Sequence, residues 1–180
     1  FPIINIYEKP NPKSKLSSQM LYGEKFKIIN KKNSWLKVKT NYDNYIGYIR
    51  YKKFNKKFKI THKISSLKAK IFKKKNNIFQ KSNKFLYFAS RIEIKKKEKK
   101  FVEFEKNKWI KKEDIKKDDY FDKNYIKIFK LFLNSKYLWG GKSVKGIDCS
   151  SLIQIYFYYN RVFFPRDTKD QIKFCKKKRT

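Results

Sequence analysis

The first third of the chain alternates. "KFKIINKK" sets Phe26 and Ile28 against lysines, "SWLKVKT" sets Trp35 or Leu36 with Val38, and "YIGYIRY" follows with Gly47 in its middle. The turn signals "YGEK", "KKNS" and "NYDN" separate these segments. A period of two over so few residues is the mark of half-buried strands, and many short strands at short spacing imply a small barrel or sandwich. The glycine inside a strand pattern predicts a bulge or bend. Residues 56 to about 115 repeat the plan with "KAKIFKK", "FLYFASRIEIKKK", "KKFVEFEK" and "KWIKKEDI". Both halves end in an aromatic strand followed by a polar connector, which predicts a structural repeat.

The pattern then changes. "KKDD" is a polar linker, and Asp118, Asp119 or Asp122 is expected to cap a helix. "KNYIKIFKLFLNS" places Tyr125, Ile128, Phe129 and Phe132 at helical spacing. A second helix is predicted after Asp148, with Leu152, Ile153, Tyr156 and Tyr159 on one face and Pro165 beyond its end.

Composition sets limits on function. Hydrophobic residues make up 40% of 180 residues and aromatics 18%, enough for packed cores despite a net charge of +34. No apolar run approaches the roughly 20 residues of a membrane-spanning helix. The charge invites a nucleic-acid reading, testable by retention on DNA with a steep salt dependence. Against it, the basic residues are almost all Lys, with Arg only at Arg50, Arg91, Arg161, Arg166 and Arg179. Arg is the residue favoured for bidentate phosphate and base contacts. Lys, Asn, Ile, Phe and Tyr are enriched together, as in a low-GC genome, so nucleic acid is not an expected partner.

Cys149 and Cys175 are the two cysteines and His62 the one histidine, so neither a metal site nor a cofactor is expected. Cys175, in "IKFCKKKRT", reads as a half-buried or incidental thiol. Cys149 stands in "YLWGGKSVKGIDCSSLIQIYFYY", which carries three of the five glycines, Gly140, Gly141 and Gly146. It falls where a helix should begin, with Asp148 or Ser150 as cap. Unpaired N–H groups at a helix start favour a thiolate. On local grounds alone, a lone Cys at a helix start is more often a small buried hydrophobe than a catalyst.

The segment resembles the active-site motif of NlpC-type papain-like cysteine peptidases, enzymes of bacterial cell-wall peptides. Tyr137, Trp139, Gly140, Gly141, Gly146, Asp148, Cys149 and Ser150 match it, and "PRDTKDQ" matches a downstream Pro-Arg-Asp-Ser/Thr-x-x-Gln segment through Pro165, Arg166, Asp167, Thr168 and Gln171. "LYGEKFKIINKKNSWLKVKTNYDNYIGYI" resembles a bacterial SH3-type domain, and residues 60 to 115 a more divergent second one. The fold so implied is α+β and multidomain: SH3-type barrels at residues 1–55 and 56–115, then the helical N-terminal part of a papain-like peptidase domain at 116–180. This layout is that of γ-D-glutamyl-L-diamino acid endopeptidases, which act on murein peptides with a free N-terminal L-Ala.

The resemblance implies that Cys149 attacks the γ-D-Glu to diaminopimelate or Lys amide, forming a thioester that water hydrolyses. The backbone N–H of Cys149, with Tyr137 OH, would steady the oxyanion. Asp148 and Ser150 would hold the L-Ala-γ-D-Glu part, Thr168 would stand near the substrate, and Glu24 and Tyr45 would close over its amine. Tyr137 and Trp139 can equally be core, Glu24 a turn residue and Thr168 a helix cap.

The family's base is a His well after the Cys, and no His follows Cys149. His62, in "KITHKISS", reads as a connector residue. The chain is therefore expected to be a partial peptidase domain, with exposed apolar surface on its C-terminal helices. The alternative is an inactive wall-peptide-binding module. A monomer is expected, acting in murein recycling in the cytoplasm, or in the periplasm or cell wall if an export signal has been removed.

Overall fold

A computed structural model describes residues 1–54 and 59–178. The expected domain boundary at 55/56 lies outside the described residues. Five strands come first: β1 (Ile3–Tyr7), β2 (Leu16–Leu21), β3 (Phe26–Lys32), β4 (Trp35–Thr40) and β5 (Ile46–Arg50). They form one antiparallel sheet in the order β2-β1-β5-β4-β3. Ile6, Met20, Leu36, Val38 and Ile49 fill its core, each side chain contributing about 1.5–3 kcal/mol by burial.

The next strands are β6 (His62–Ile64), β7 (Lys68–Lys75), β8 (Ile78–Tyr87), β9 (Arg91–Ile92), β10 (Lys96–Lys97), β11 (Phe101–Glu105), β12 (Lys108–Lys111) and β13 (Ile115–Lys117). Five of them make a second sheet, β10-β11-β12-β7-β8. Read from its other edge, this repeats the strand order of the first sheet: hairpin, then the last strand, then the two before it. Strands β13, β6 and β9 pair as a separate three-stranded sheet.

Two expectations are corrected here. The sheets are not closed barrels: β2 and β3 at the first sheet's edges, and β10 and β8 at the second's, do not pair with each other. Gly47 is not at a bulge, since β4 and β5 run in unbroken register through Val38 and Gly47. The irregularities fall instead at Ile6/Tyr7 and between Ile28 and Asn30. Gly47 is required because a Cβ there would come within 2.3 Å of the Ile6 side chain, where β1 crosses.

The C-terminal part holds α1 (Tyr125–Lys130), a two-stranded ribbon of β14 (Lys142–Ser143) and β15 (Gly146–Ile147), α2 (Cys149–Tyr159) and α3 (Thr168–Lys177). The cap of α1 is Asn124, accepting from Lys127 N, rather than an aspartate; Asp122 instead accepts from Asn124 N. The helix is one short stretch and Phe132 lies beyond it, yet Ile128 and Phe132 are both buried. On α2 the buried face is Ser151, Gln154, Ile155, Tyr158 and Tyr159, rotated from the expected one, and Ile153 is exposed. The rotation follows from polar partners: Gln154 donates to Asp43 Oδ2 at 2.8 Å and to the Phe164 carbonyl at 3.0 Å, so an amide could be buried.

One cluster joins all three parts. Leu21 of the first sheet, Tyr87 and Phe88 at the end of β8, and Ile128, Ile155, Tyr158 and Tyr159 of the helices pack together. The other side of the helical part leaves Leu133, Tyr137, Trp139, Phe163 and Ile172 exposed.

Candidate active site

Cys149 is the first residue of α2 and is exposed. The helix begins there because Asp148, in extended conformation, accepts from Ser151 N at 2.8 Å. The same carboxylate accepts from Gly140 N at 2.9 Å and from the Ser150 hydroxyl at 3.1 Å. Arg166 binds it through two parallel bonds, Nη2 to Oδ2 at 2.7 Å and Nη1 to Oδ1 at 3.1 Å. Burial alone would raise the Asp148 pKa, but the Arg166 guanidinium and the two N–H groups outweigh it and hold the carboxyl below its ordinary range.

Arg166 does more than pair with Asp148. Its Nη1 reaches the Ser150 hydroxyl at 2.8 Å and its Nε reaches Ser18 Oγ, on β2, at 3.0 Å. Gln171 of α3 donates to the carbonyls of Ser150 and Pro165, both at 2.9 Å. The "PRDTKDQ" segment thus locks the start of α2 against the first sheet.

A second tie runs through the Gly-Gly turn. Gly140 has φ +73° and packs where a Cβ would lie 2.8 Å from the Leu16 carbonyl. Lys142 N donates to Gln19 Oε1 at 2.9 Å, and Lys142 Nζ pairs with Glu24 Oε1 at 3.0 Å. Both side chains are almost wholly buried, at 2% and 3% exposure. The ammonium also faces the rings of Tyr158 and Tyr42, at 4.8 and 5.8 Å. Burial pushes the Glu24 carboxyl up, with Lys142 opposing.

The far end of α2 is held by the second half of the chain. Arg91 Nη2 donates to the Tyr158 carbonyl at 2.8 Å, and the Lys63 ammonium bonds the carbonyls of Tyr159 and Tyr120. Two cations therefore cap the helix's negative end. Lys63 is fully buried, and desolvation lowers its pKa to about 8.

The residues expected at the site are placed as follows. Cys149 and Tyr137 are exposed, and Tyr137 bridges to Ile147 just before the cap. Asp148 and Ser150 are buried in the Arg166 network. Glu24 is engaged by Lys142 and by Leu21 N. Tyr45 donates to the Ser17 carbonyl at 3.3 Å; burial raises its pKa, and the nearby Asp167 charge adds to this. Thr168 is exposed at the first position of α3. Cys175, near the end of α3, is exposed and free, as is Cys149, so the two form no disulfide.

His62 lies toward the C-terminal end of α2, away from Cys149 at its start. Its ring contacts Thr61 Oγ1 at 3.0 Å, and it lines a cleft with Arg161, past the C-terminal end of α2. The helix alone spans about 15 Å, so no imidazole stands beside Cys149. Reading the sequence missed Lys63, Arg91, Lys142 and the Ser18 contact, since nothing distinguishes these residues among 49 Lys and Arg.

Residues 6–53 match the family model described as the bacterial dipeptidyl-peptidase SH3 domain. Residues 134–180 match that of the NlpC/P60 family, generally cell-wall peptidases. The fold is similar to the crystal structure of an NlpC/P60 family protein from Bacillus cereus. That match has a TM-score of 0.80 at 16% identity and covers 96% of this chain and 74% of that one. NlpC2 from Trichomonas vaginalis aligns over 94% of this chain and 66% of its own at 17% identity, but its TM-score of 0.35 carries no structural argument. No curated protein matches.

Proposed function

We propose that this chain, with its matches to a bacterial SH3 domain at residues 6–53 and to the NlpC/P60 family at residues 134–180, carries the nucleophile of a cysteine peptidase of cell-wall peptides. The substrate is a murein peptide of the L-Ala-γ-D-Glu-diaminopimelate type with a free N-terminal L-Ala. The observation that carries this reading is an exposed Cys149 at the first position of a helix whose start is fixed by Asp148 and Arg166.

The thiolate adds to the γ-D-Glu carbonyl carbon, the C–N bond breaks, and the amine leaves with a proton. Water then cleaves the thioester and restores the thiol. The helix-start N–H of Cys149 and the exposed Tyr137 hydroxyl are the oxyanion donors. Tyr137 and Thr168 touch the substrate. Asp148, Ser150 and Glu24 act through what they hold, since Arg166 and Lys142 already occupy their side chains.

A second reading rests on the placement of His62 near the far end of α2 from Cys149. Lacking an imidazole beside the thiol, the chain would bind wall peptide without cutting it. Incubation with L-Ala-γ-D-Glu-diaminopimelate, with calorimetry in parallel, separates the readings. Release of diaminopimelate that disappears in Cys149→Ala supports the peptidase. Binding without release supports the module. Neither binding nor release overturns both. The cytoplasm is the compartment we propose, because recognition of a free L-Ala amine suits peptides already cut from the wall.

A further inference from the structure

A cleft of about 770 Å³ opens where the first sheet, the three-stranded sheet and the C-terminal end of α2 meet. That volume is typical of small-molecule sites. Its walls are cationic. Lys25 precedes β3, Lys59 precedes β6, Lys117 ends β13, and Arg161 follows α2 with a left-handed φ of +61°. Arg91 forms an inner wall and is almost buried.

The charges do not cancel. Asp118 is shared between two guanidinium groups, at 2.7 Å from Arg91 and 3.6 Å from Arg161. Among the described residues no carboxylate lies within ion-pair distance of Lys25, Lys59 or Lys117. Asp119 is the remaining acid of the lining. Five basic side chains on separate segments thus face two carboxylates.

His62 also lines the cleft. Burial lowers its pKa, and Lys97 of β10 and Lys117 of β13 lower it further, against Asp118 and Asp119. Lys59 and Thr61 from the connector, Arg91 from β9 and Lys25 from the first sheet complete its surroundings. An anion placed among these cations would reverse the balance at the imidazole and draw a proton onto it.

We propose that this cleft binds a small multivalent oxyanion, one carrying several phosphate or carboxylate groups, through Lys25, Lys59, Lys117 and Arg161. The spread of the cations over separate segments suits several anionic groups held apart better than one. The inference is independent of any chemistry at Cys149.

The single histidine makes the test direct. The whole chain is titrated with tripolyphosphate, citrate or acetate in 150 mM NaCl, a salt level that screens general surface attraction, while the His62 ring proton is followed by NMR. Tripolyphosphate and citrate are expected to saturate at one equivalent and raise the His62 midpoint, and acetate at the same concentration to leave it unmoved. Lys25→Gln/Lys59→Gln/Lys117→Gln should weaken binding about tenfold. Lys9→Gln/Lys13→Gln/Lys15→Gln removes the same charge from exposed positions beside the other end of β2, and should change binding by less than about twofold. Equal weakening by both triple variants, or an unmoved His62 midpoint at saturating polyanion, overturns the proposal.

Discussion

The guanidinium of Arg166 grips the carboxylate of Asp148 through two bonds, one residue before Cys149 and 18 residues away in sequence. Both side chains are nearly buried, at 2% and 8% exposure. The pair starts α2, leads into α3 and reaches back to Ser18 on the first sheet.

Removing one partner should be severe. Arg166→Met leaves a buried carboxylate unpaired, and the expected cost is about 3–5 kcal/mol. Adding Asp148→Asn should not add a second full cost, because the two changes delete one interaction. Urea unfolding of the two single variants and the double variant measures this, and strict additivity would contradict it.

The Lys142–Glu24 pair gives a pH-dependent expectation. Burial raises the folded pKa of Glu24 above its unfolded value, while Lys142 opposes the rise. In Lys142→Met that opposition is gone and the folded pKa climbs further. A group with a raised folded pKa contributes stability below its unfolded pKa, about 4.3, and loses it as pH rises through the folded pKa. Lys142→Met should therefore fall further behind the parent as pH rises from about 5 to 8. Thermal unfolding across that range tests it; a constant gap would not fit.

Lys63 gives the opposite slope. Its folded pKa of about 8 lies below the unfolded value of about 10.4. The unfolded chain then holds more protons between these limits, so this group adds stability as pH rises above 8 and withdraws it as pH falls through 8. Comparing the parent with Lys63→Met between pH 8 and about 9.5, below the range where tyrosines titrate, should show the parent's advantage growing with pH. A parallel pair of curves would remove Lys63 from the pH response.

Gly140→Ala should loosen the site locally. The left-handed φ and the 2.8 Å approach to the Leu16 carbonyl both oppose a Cβ. A loss of about 1–3 kcal/mol is expected, with faster amide exchange at Gly140 N, which donates to Asp148. Unchanged stability would mean that the turn is not pressed against β2.

How much of this was readable in advance depended on the distance over which each signal acts. Period-two alternation in "KFKIINKK" and "SWLKVKT" is local, and those strands formed where expected, as β3 and β4. The cap at Asp148 was local too. The buried face of α2 was misjudged because Ser151 and Gln154 look like surface residues until the partners of Gln154, Asp43 and Phe164, fold over them. Barrel closure depends on edges meeting across a sheet, which alternation does not encode. Lys63 and Lys142 were invisible because their partners are 57 to 118 positions away. Exposed apolar residues were expected on the C-terminal helices, and Ile153 of α2 and Ile172 of α3 are exposed.

The most direct measurement concerns the thiol itself. Treating the chain with a chloromethyl ketone analogue of an L-Ala-γ-D-Glu peptide, followed by peptide mass spectrometry, asks which of the two exposed cysteines reacts. The expected result is one adduct on Cys149, lost in Cys149→Ala and slowed in Arg166→Met, with Cys175 unmodified. Equal labelling of Cys149 and Cys175 would contradict the assignment of Cys149 as the nucleophile.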